Sequence, residues 1–193
     1  MAKFRSALLA ACLVVGTPLV TTACTSMPDE VSRQDIDAQS TQALNRLIAD
    51  NSAAKAIAAK SRAVLIFPSI VKAGLGVGGA YGEGEMRKGG VVQDYYSTFT
   101  GSWGLQAGAQ QYGYAVFLMN DDAVKYVEDS DGWEIGVGPT VVLVNAGIAE
   151  NLSTSTLKED AYAFIFDQKG LMAGISIEGT KITKLDAKYA FRF

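Results

Sequence analysis

Between Gly74 and Glu85 glycine falls at almost every second position. The even positions are Gly74, Gly76, Gly78, Ala80, Gly82 and Gly84; the odd ones are Leu75, Val77, Gly79, Tyr81, Glu83 and Glu85. Successive side chains of a strand point to opposite faces, so this period places every glycine except Gly79 on one face. A strand glycine loses backbone entropy on folding and packs no side chain. A row of them marks a face that something approaches closely: a packed helix, the inside of a tight barrel, or a ligand.

The pattern returns. Trp103, Leu105, Ala107 and Ala109 alternate with Gly104, Gln106 and Gly108, and Ile135, Val137, Val141 and Leu143 alternate with Gly136, Gly138 and Thr140. The run A-V-L-I-F at 63–67, stopped by Pro68, predicts a short buried strand. Strands also fit 91–99, 113–119, 161–167 and 171–178, the last two as a hairpin turning at D-Q-K-G, 167–170. Before residue 63 the period is helical: Ile36, Ala43, Leu44, Leu47 and Ile48 share one face. Ser32 is placed to cap that helix. Asn51-Ser52 interrupts it, with Ser52 capping a second, alanine-rich segment, and Asn120 caps a helix over 121–129. The expected fold is α+β: an N-terminal helical arm followed by a glycine-rich antiparallel β-sheet or barrel.

The first 23 residues have the layout of an export signal. Lys3 and Arg5 precede an apolar run, Ala7–Val20, and the small residues Thr21, Thr22 and Ala23 precede Cys24. A run of ~14 is too short to span a bilayer, which takes ~20. The cysteine after T-T-A predicts a lipoprotein signal, with Cys24 acylated as the mature N-terminus. Cys12 ends the better box, L-A-A-C, but leaves too short an apolar run before it. The alternatives are plain cleavage near Ala23, leaving Cys24 a free thiol, or a retained anchor. Thr25 is not the aspartate that retains lipoproteins at the inner membrane, so the expected location is the outer membrane, facing the periplasm. The expected organisation is 1–23 signal, 24–32 tether and 33–193 one domain.

Charge narrows the function. The chain carries 17 basic and 20 acidic residues, and removal of the leader leaves 15 basic residues against the same 20. Nucleic acid is excluded as a partner on this balance. The distribution is uneven, however. Arg46, Lys55, Lys60, Arg62 and Lys72 accompany a single acid, Asp50, between residues 46 and 72. Such a surplus either faces anionic lipid headgroups or is a solvated helix face.

Catalytic and cofactor motifs fail their context tests. The chain has no histidine and only two cysteines, Cys12 and Cys24, which removes His-dependent acid/base chemistry and the common zinc sites. G-L-G-V-G-G at 74–79 matches a dinucleotide fingerprint, but A-Y-G-E-G follows where a helix is required. S-A-A-K at 52–55 lacks the S-D-N and K-T-G partners of serine acyl enzymes. Glu83 and Glu85 share a strand face and are expected to be exposed edge charges. Asp121, Asp122, Asp129 and Asp131 lack the EF-hand spacing. No enzyme activity, cofactor or metal is expected. At the C-terminus, Leu185, Ala187, Tyr189, Phe191 and Phe193 alternate as in the closing strand of a small outer-membrane barrel. The helical front and the missing aromatic girdles oppose that reading.

Three blocks together carry a resemblance: A-V-L-I-F-P-S-I-V-K-A-G-L-G-V-G-G-A-Y-G-E-G at 63–84, G-S-W-G-L-Q-A-G-A-Q at 101–110, and D-A-Y-A-F-I-F-D-Q-K-G-L-M-A-G-I-S-I-E-G at 160–179. In this order the chain resembles the SYLF-domain family over roughly residues 35–193. That family includes bacterial lipoproteins and eukaryotic proteins that join the domain to SH3 or FYVE modules. The resemblance implies phospholipid binding through a basic N-terminal segment, and in some members actin binding. Actin is not expected in a bacterial envelope, so lipid binding is what carries over, on Lys55, Lys60, Arg62 and Lys72. The competing reading is a structural or partner-binding envelope protein that docks a protein on its glycine-lined face; no protein partner is identified.

Overall fold

The computed structural model describes residues 33–130, 132–144 and 157–185, with backbone alone at 105–106 and 173–178. All of these lie in one compact unit, Val31–Phe193. The unit is α+β. Helix α1 (Arg33–Asp50) and helix α2 (Ser52–Ala58) precede strand β1 (Ala63–Lys88) and strand β2 (Val91–Leu118). Helix α3 (Asp121–Asp129), two short strands, β3 (Trp133–Glu134) and β4 (Val141–Leu143), and the long β5 (Ala161–Lys184) follow. The sheet runs in the order β1-β2-β5-β3, with β4 on β5. Among the described residues it is an open sheet. It is also mixed, because β4 pairs parallel to β5 while the other pairs are antiparallel. The expected all-antiparallel sheet is corrected by that one pair.

The helical arm follows its sequence signals. Alpha1 buries Ile36, Ser40, Ala43 and Leu47, a stripe at helical spacing. It ends at Asn51, whose side-chain oxygen accepts from the Ala54 N–H at 2.9 Å and starts α2. The cap is thus Asn51, one residue before the serine expected to serve; Ser32 lies outside the described residues. Asn120 caps α3 in the same way, accepting from the Ala123 N–H at 2.8 Å.

The strands depart further from expectation. Segments read as separate are continuous strands of 26, 28 and 24 residues. Pro68 does not end β1; the ladder with β2 slips between Phe67 and Ile70 and resumes. A proline fits there because a bulge leaves one N–H without a ladder partner. D-Q-K-G is likewise no hairpin turn. Gln111 pairs with Lys169 and Gly113 with Phe166, so β5 accommodates one extra residue at a bulge where Asp167 has φ +52°. The strand expected over 135–143 is reduced to Val141–Leu143. Among the described residues the one tight hairpin is Gly89-Gly90, with φ +57° and +85° between the paired Lys88 and Val91. Two consecutive positive φ values give the primed turn whose twist matches the flanking strands.

The glycine row receives a definite answer. A Cβ on Gly82 would lie 2.7 Å from Ile70 Cγ1 and from the Ser69 carbonyl, and one on Gly84 would overlap the Ile66 carbonyl oxygen. What approaches the row at Gly82 and Gly84 is therefore the first half of the same strand. Beta1 doubles back on itself between Ile70 and Gly82, and β2 and β5, in register with it, curl too.

Two cores result. Inside the curl Leu65, Phe67, Ile70, Met86, Tyr96, Val116, Leu118 and Ile182 pack with Trp133 and with Ala123, Val124 and Val127 of α3. On the other face of the same strands Val64, Ile66, Ala115, Phe117, Tyr162 and Phe164 lie under Ala43, Leu47, Ala54 and Ile57 of α1 and α2. Phe117 and Phe164 meet edge to face at 5.7 Å, a geometry worth ~0.5–1.5 kcal/mol beyond area burial. Among the described residues both cores draw on residues 43–182, all inside the one compact unit.

Candidate functional site

The four cations expected to meet lipid do not form one group. Lys55 on α2, and Lys60 and Arg62 in the short link to β1, are exposed together within eight residues. Ser61, between them, donates to the Ala58 carbonyl at 3.0 Å, and the Arg62 N–H donates to Leu118 at 2.8 Å, which fixes the link. Arg62 also lies 3.7 Å from Asp121, with both side chains mostly exposed. An exposed pair at that distance contributes little and leaves the guanidinium available. Lys72 is different: it sits on the inner-facing side of β1 and is only 8% exposed. Parity explains this, since Val71 next to it points outward at 56% exposed. Arg46, the remaining basic residue of the surplus, is engaged by Asp167 through Nε at 3.0 Å and Nη2 at 2.8 Å. That pair edges a polar pocket of about 220 Å³ at the level of the Pro68 and Asp167 bulges. Cys24 lies outside the described residues, as do residues 186–193 of the proposed closing strand.

Glu85 corrects another expectation. Its side chain is fully buried and ion-paired to Arg87. The pairing belongs to a latch between α1 and the β1–β2 hairpin. Arg87 Nη2 donates to the Asp37 carbonyl at 3.0 Å and to Thr41 Oγ1 at 2.8 Å. The Tyr95 hydroxyl donates to Asp37 Oδ1 at 2.8 Å, and the Arg33 guanidinium lies 4.8 Å above the Tyr95 ring. Burial, reinforced by the neighbouring Asp37 carboxyl, raises Glu85 to about 7; Arg87 opposes the shift. Burial also raises the Tyr95 phenol to about 12, again with Asp37 contributing. A carboxyl with no solvent access is placed to hold a helix, not to meet a substrate.

Asp160 does comparable work at the other side of the sheet. It accepts from the Thr140 N–H at 2.9 Å, Thr140 Oγ1 at 3.0 Å and Asn120 Nδ2 at 2.8 Å. Those bonds, the backbone one first, hold its carboxyl below the ordinary range. It thereby fixes the cap of α3 and the starts of β4 and β5 at one point. Among the described residues no group of three metal-ligating side chains occurs, and no helix is long and apolar enough to cross a membrane.

The sequence reading missed the outer face of the curl. There Leu75 is 83% exposed, Trp103 77% and Leu171 89%, with Val71, Val77, Tyr81 and Phe99 at half or more. The signal was present in the odd positions of 71–81, which hold every large apolar residue of that stretch. Apolar residues on an alternating strand are ordinarily assigned to the core face. Here glycine and small polar residues face inward, because only they let the strand close on itself.

Comparison with known proteins gives a family match over part of the chain. Residues 99–189 match the family described as Ysc84: Las17-binding protein actin regulator. The match takes in the blocks 101–110 and 160–179 and stops short of 63–84. A comparison with curated proteins found no match. Over most of β2, β5 and the segment between them, the chain thus carries a match to the SYLF-domain family, a family of lipid-binding or actin-associated binding domains.

Proposed function

We infer that the chain is a non-enzymatic lipoprotein, anchored through Cys24 in the outer membrane, whose SYLF domain binds phospholipid on the periplasmic side. The observation that carries the lipid reading is the cation group Lys55, Lys60 and Arg62, exposed and held on a fixed link. Near-surface cations contribute ~1 kcal/mol each toward an anionic leaflet. The family supports the same reading. The glycine-lined face offers no competing dock at Gly82 and Gly84, since the chain's own first half covers it.

Flotation of residues 25–193 with vesicles tests the reading. Binding should favour phosphatidylglycerol over phosphatidylcholine alone and weaken with salt, as the Debye length falls from ~10 Å at 0.1 M to ~3 Å at 1 M. Replacing Lys55, Lys60 and Arg62 with glutamine should remove up to ~3 kcal/mol of binding. Asp121→Asn should strengthen it. Lys72→Gln, at a covered position, should leave it unchanged. Binding indifferent to salt and to the triple substitution would exclude the cation group as the contact.

A further inference from the structure

We propose that the outer face of the curl is a wedge that enters the headgroup and upper acyl region of an anionic phospholipid bilayer. The proposal deepens the lipid-binding reading and rests on it. Three observations carry it.

The first is the kind of surface. Val77 stands directly opposite Trp103, Leu75 opposite Ala107, Ala73 opposite Ala109, and Ala109 opposite Leu171, forming continuous apolar rows across three strands. Soluble monomers seldom expose large side chains in contiguous rows. Trp103, Tyr81 and Phe99 add the aromatic character that collects at membrane interfaces.

The second is shape. Gly82 touches Ser69 and Ile70, so the backbone between them turns around and the apolar side chains stand on the outside of the bend. A convex ridge enters a fluid layer, which deforms around it. It meets a flat protein surface along a line only, and so buries little area against a second copy.

The third is charge. The segments 71–81 and 99–111 carry one charged residue, the covered Lys72. Segment 169–181 begins and ends with exposed lysines, Lys169 and Lys181, and adds one acid, Glu178. Glu83, next beyond Tyr81 on β1, accepts from the Tyr81 hydroxyl at 2.6 Å. Two exposed lysines, Lys169 and Lys181, at the margins of an otherwise apolar outer face, on a chain of net −3, are a local match for anionic headgroups.

The two tryptophans make the test direct, because Trp133 is fully buried and Trp103 is not. Residues 25–193 are mixed with phosphatidylglycerol–phosphatidylcholine vesicles, with and without bromine on the acyl chains. The emission should shift to the blue and be quenched by bromolipid, and Trp103→Phe should abolish both changes while flotation persists. Leu75→Ser with Trp103→Ser, both at exposed sites and so neutral to folding, should weaken vesicle binding by ~tenfold or more, given what burial of two large side chains contributes. Flotation without quenching of Trp103 would overturn the wedge and leave the cation group as the lipid contact. Absence of flotation on every vesicle would overturn both readings. A concentration-dependent dimer in the absence of lipid, lost in the double variant, would assign the face to a second copy and also overturn the wedge.

Discussion

The same three strands behave differently at their two levels. At the base, residues 63–67, 115–118 and 161–164 are buried on both faces, odd positions inside the curl or under α3 and even ones under α1 and α2, or the reverse. At the crest, Lys72, Ala80, Thr100 and Ser102 are buried on one face, while Leu75, Val77, Phe99, Trp103 and Leu171 are exposed on the other. Base and crest are both apolar, so hydropathy does not separate them. What separates them is cover: the helices reach the base and leave the outside of the bend bare. Strand alternation defines two faces, and the packing partner decides which is inside.

The contrast can be broken most sharply at Trp133, which fills the inner core and donates its Nε1–H to the Val137 carbonyl at 3.0 Å. Trp133→Ala should cost ~3–5 kcal/mol in urea unfolding. Trp103→Ala, at the crest, should stay within ~0.5 kcal/mol. Equal costs would mean that the crest is covered in solution. A second comparison lies inside the glycine row. Gly84→Ala places a methyl on the Ile66 carbonyl and should cost ~3 kcal/mol, the upper part of the overpacking range. Gly79→Ala, whose Cβ would meet nothing closer than 3.6 Å, should cost under ~1 kcal/mol. Similar values at both positions would argue against the doubled-back strand.

The smallest expected effect separates the two carboxyls. Glu85 is raised from 4.5 to about 7, so the folded chain binds more protons than the unfolded one between those values. Its contribution is present below pH ~4.5 and is lost as pH rises toward 7. Asp160 is lowered, so its contribution is present above the ordinary carboxylate range and is lost as pH falls through its folded value. Glu85→Gln should flatten the loss of stability between pH 5 and 7, by ~2 kcal/mol or less once coupling to Asp37 is allowed for. Asp160→Asn should blunt the acid limb of the same profile. Chemical unfolding across pH 3–8 reads both, and a wild-type profile flat from 5 to 7 would remove Glu85 from the account.

Local signals were legible in the sequence and long-range ones were not. The extents of α1 and α2 follow from a helical period broken at Asn51-Ser52, and the start of α3 from its Asn120 cap, signals that act within four residues. The breaks at Pro68 and D-Q-K-G carry the same residues as true strand ends. Only the partner strand reveals them as bulges, through the register Phe67/Ile70 and Gln111/Gly113. Gly89-Gly90 was a readable hairpin signal overshadowed by the glycines before it. For the candidate site, the exposure of Lys55, Lys60 and Arg62 accorded with their charge, on an alanine-rich helix and link whose buried positions are Ala53, Ala54 and Ile57. The burial of Lys72 depended on the curl, which no local pattern encodes.

The hairpin at Gly89-Gly90 joins strands adjacent in sequence, so β1 and β2 close by zipping outward from that turn. Beta5 has no such advantage. Its first residue, Ala161, pairs with Leu118, and its last, Lys184, with Tyr96. During synthesis the edge of β2 therefore stays open until residues 161–184 have emerged, and it offers most of its 28 residues to any passing strand. A protein built in this way has its most aggregation-prone surface before β5 arrives, along an edge that the finished fold conceals.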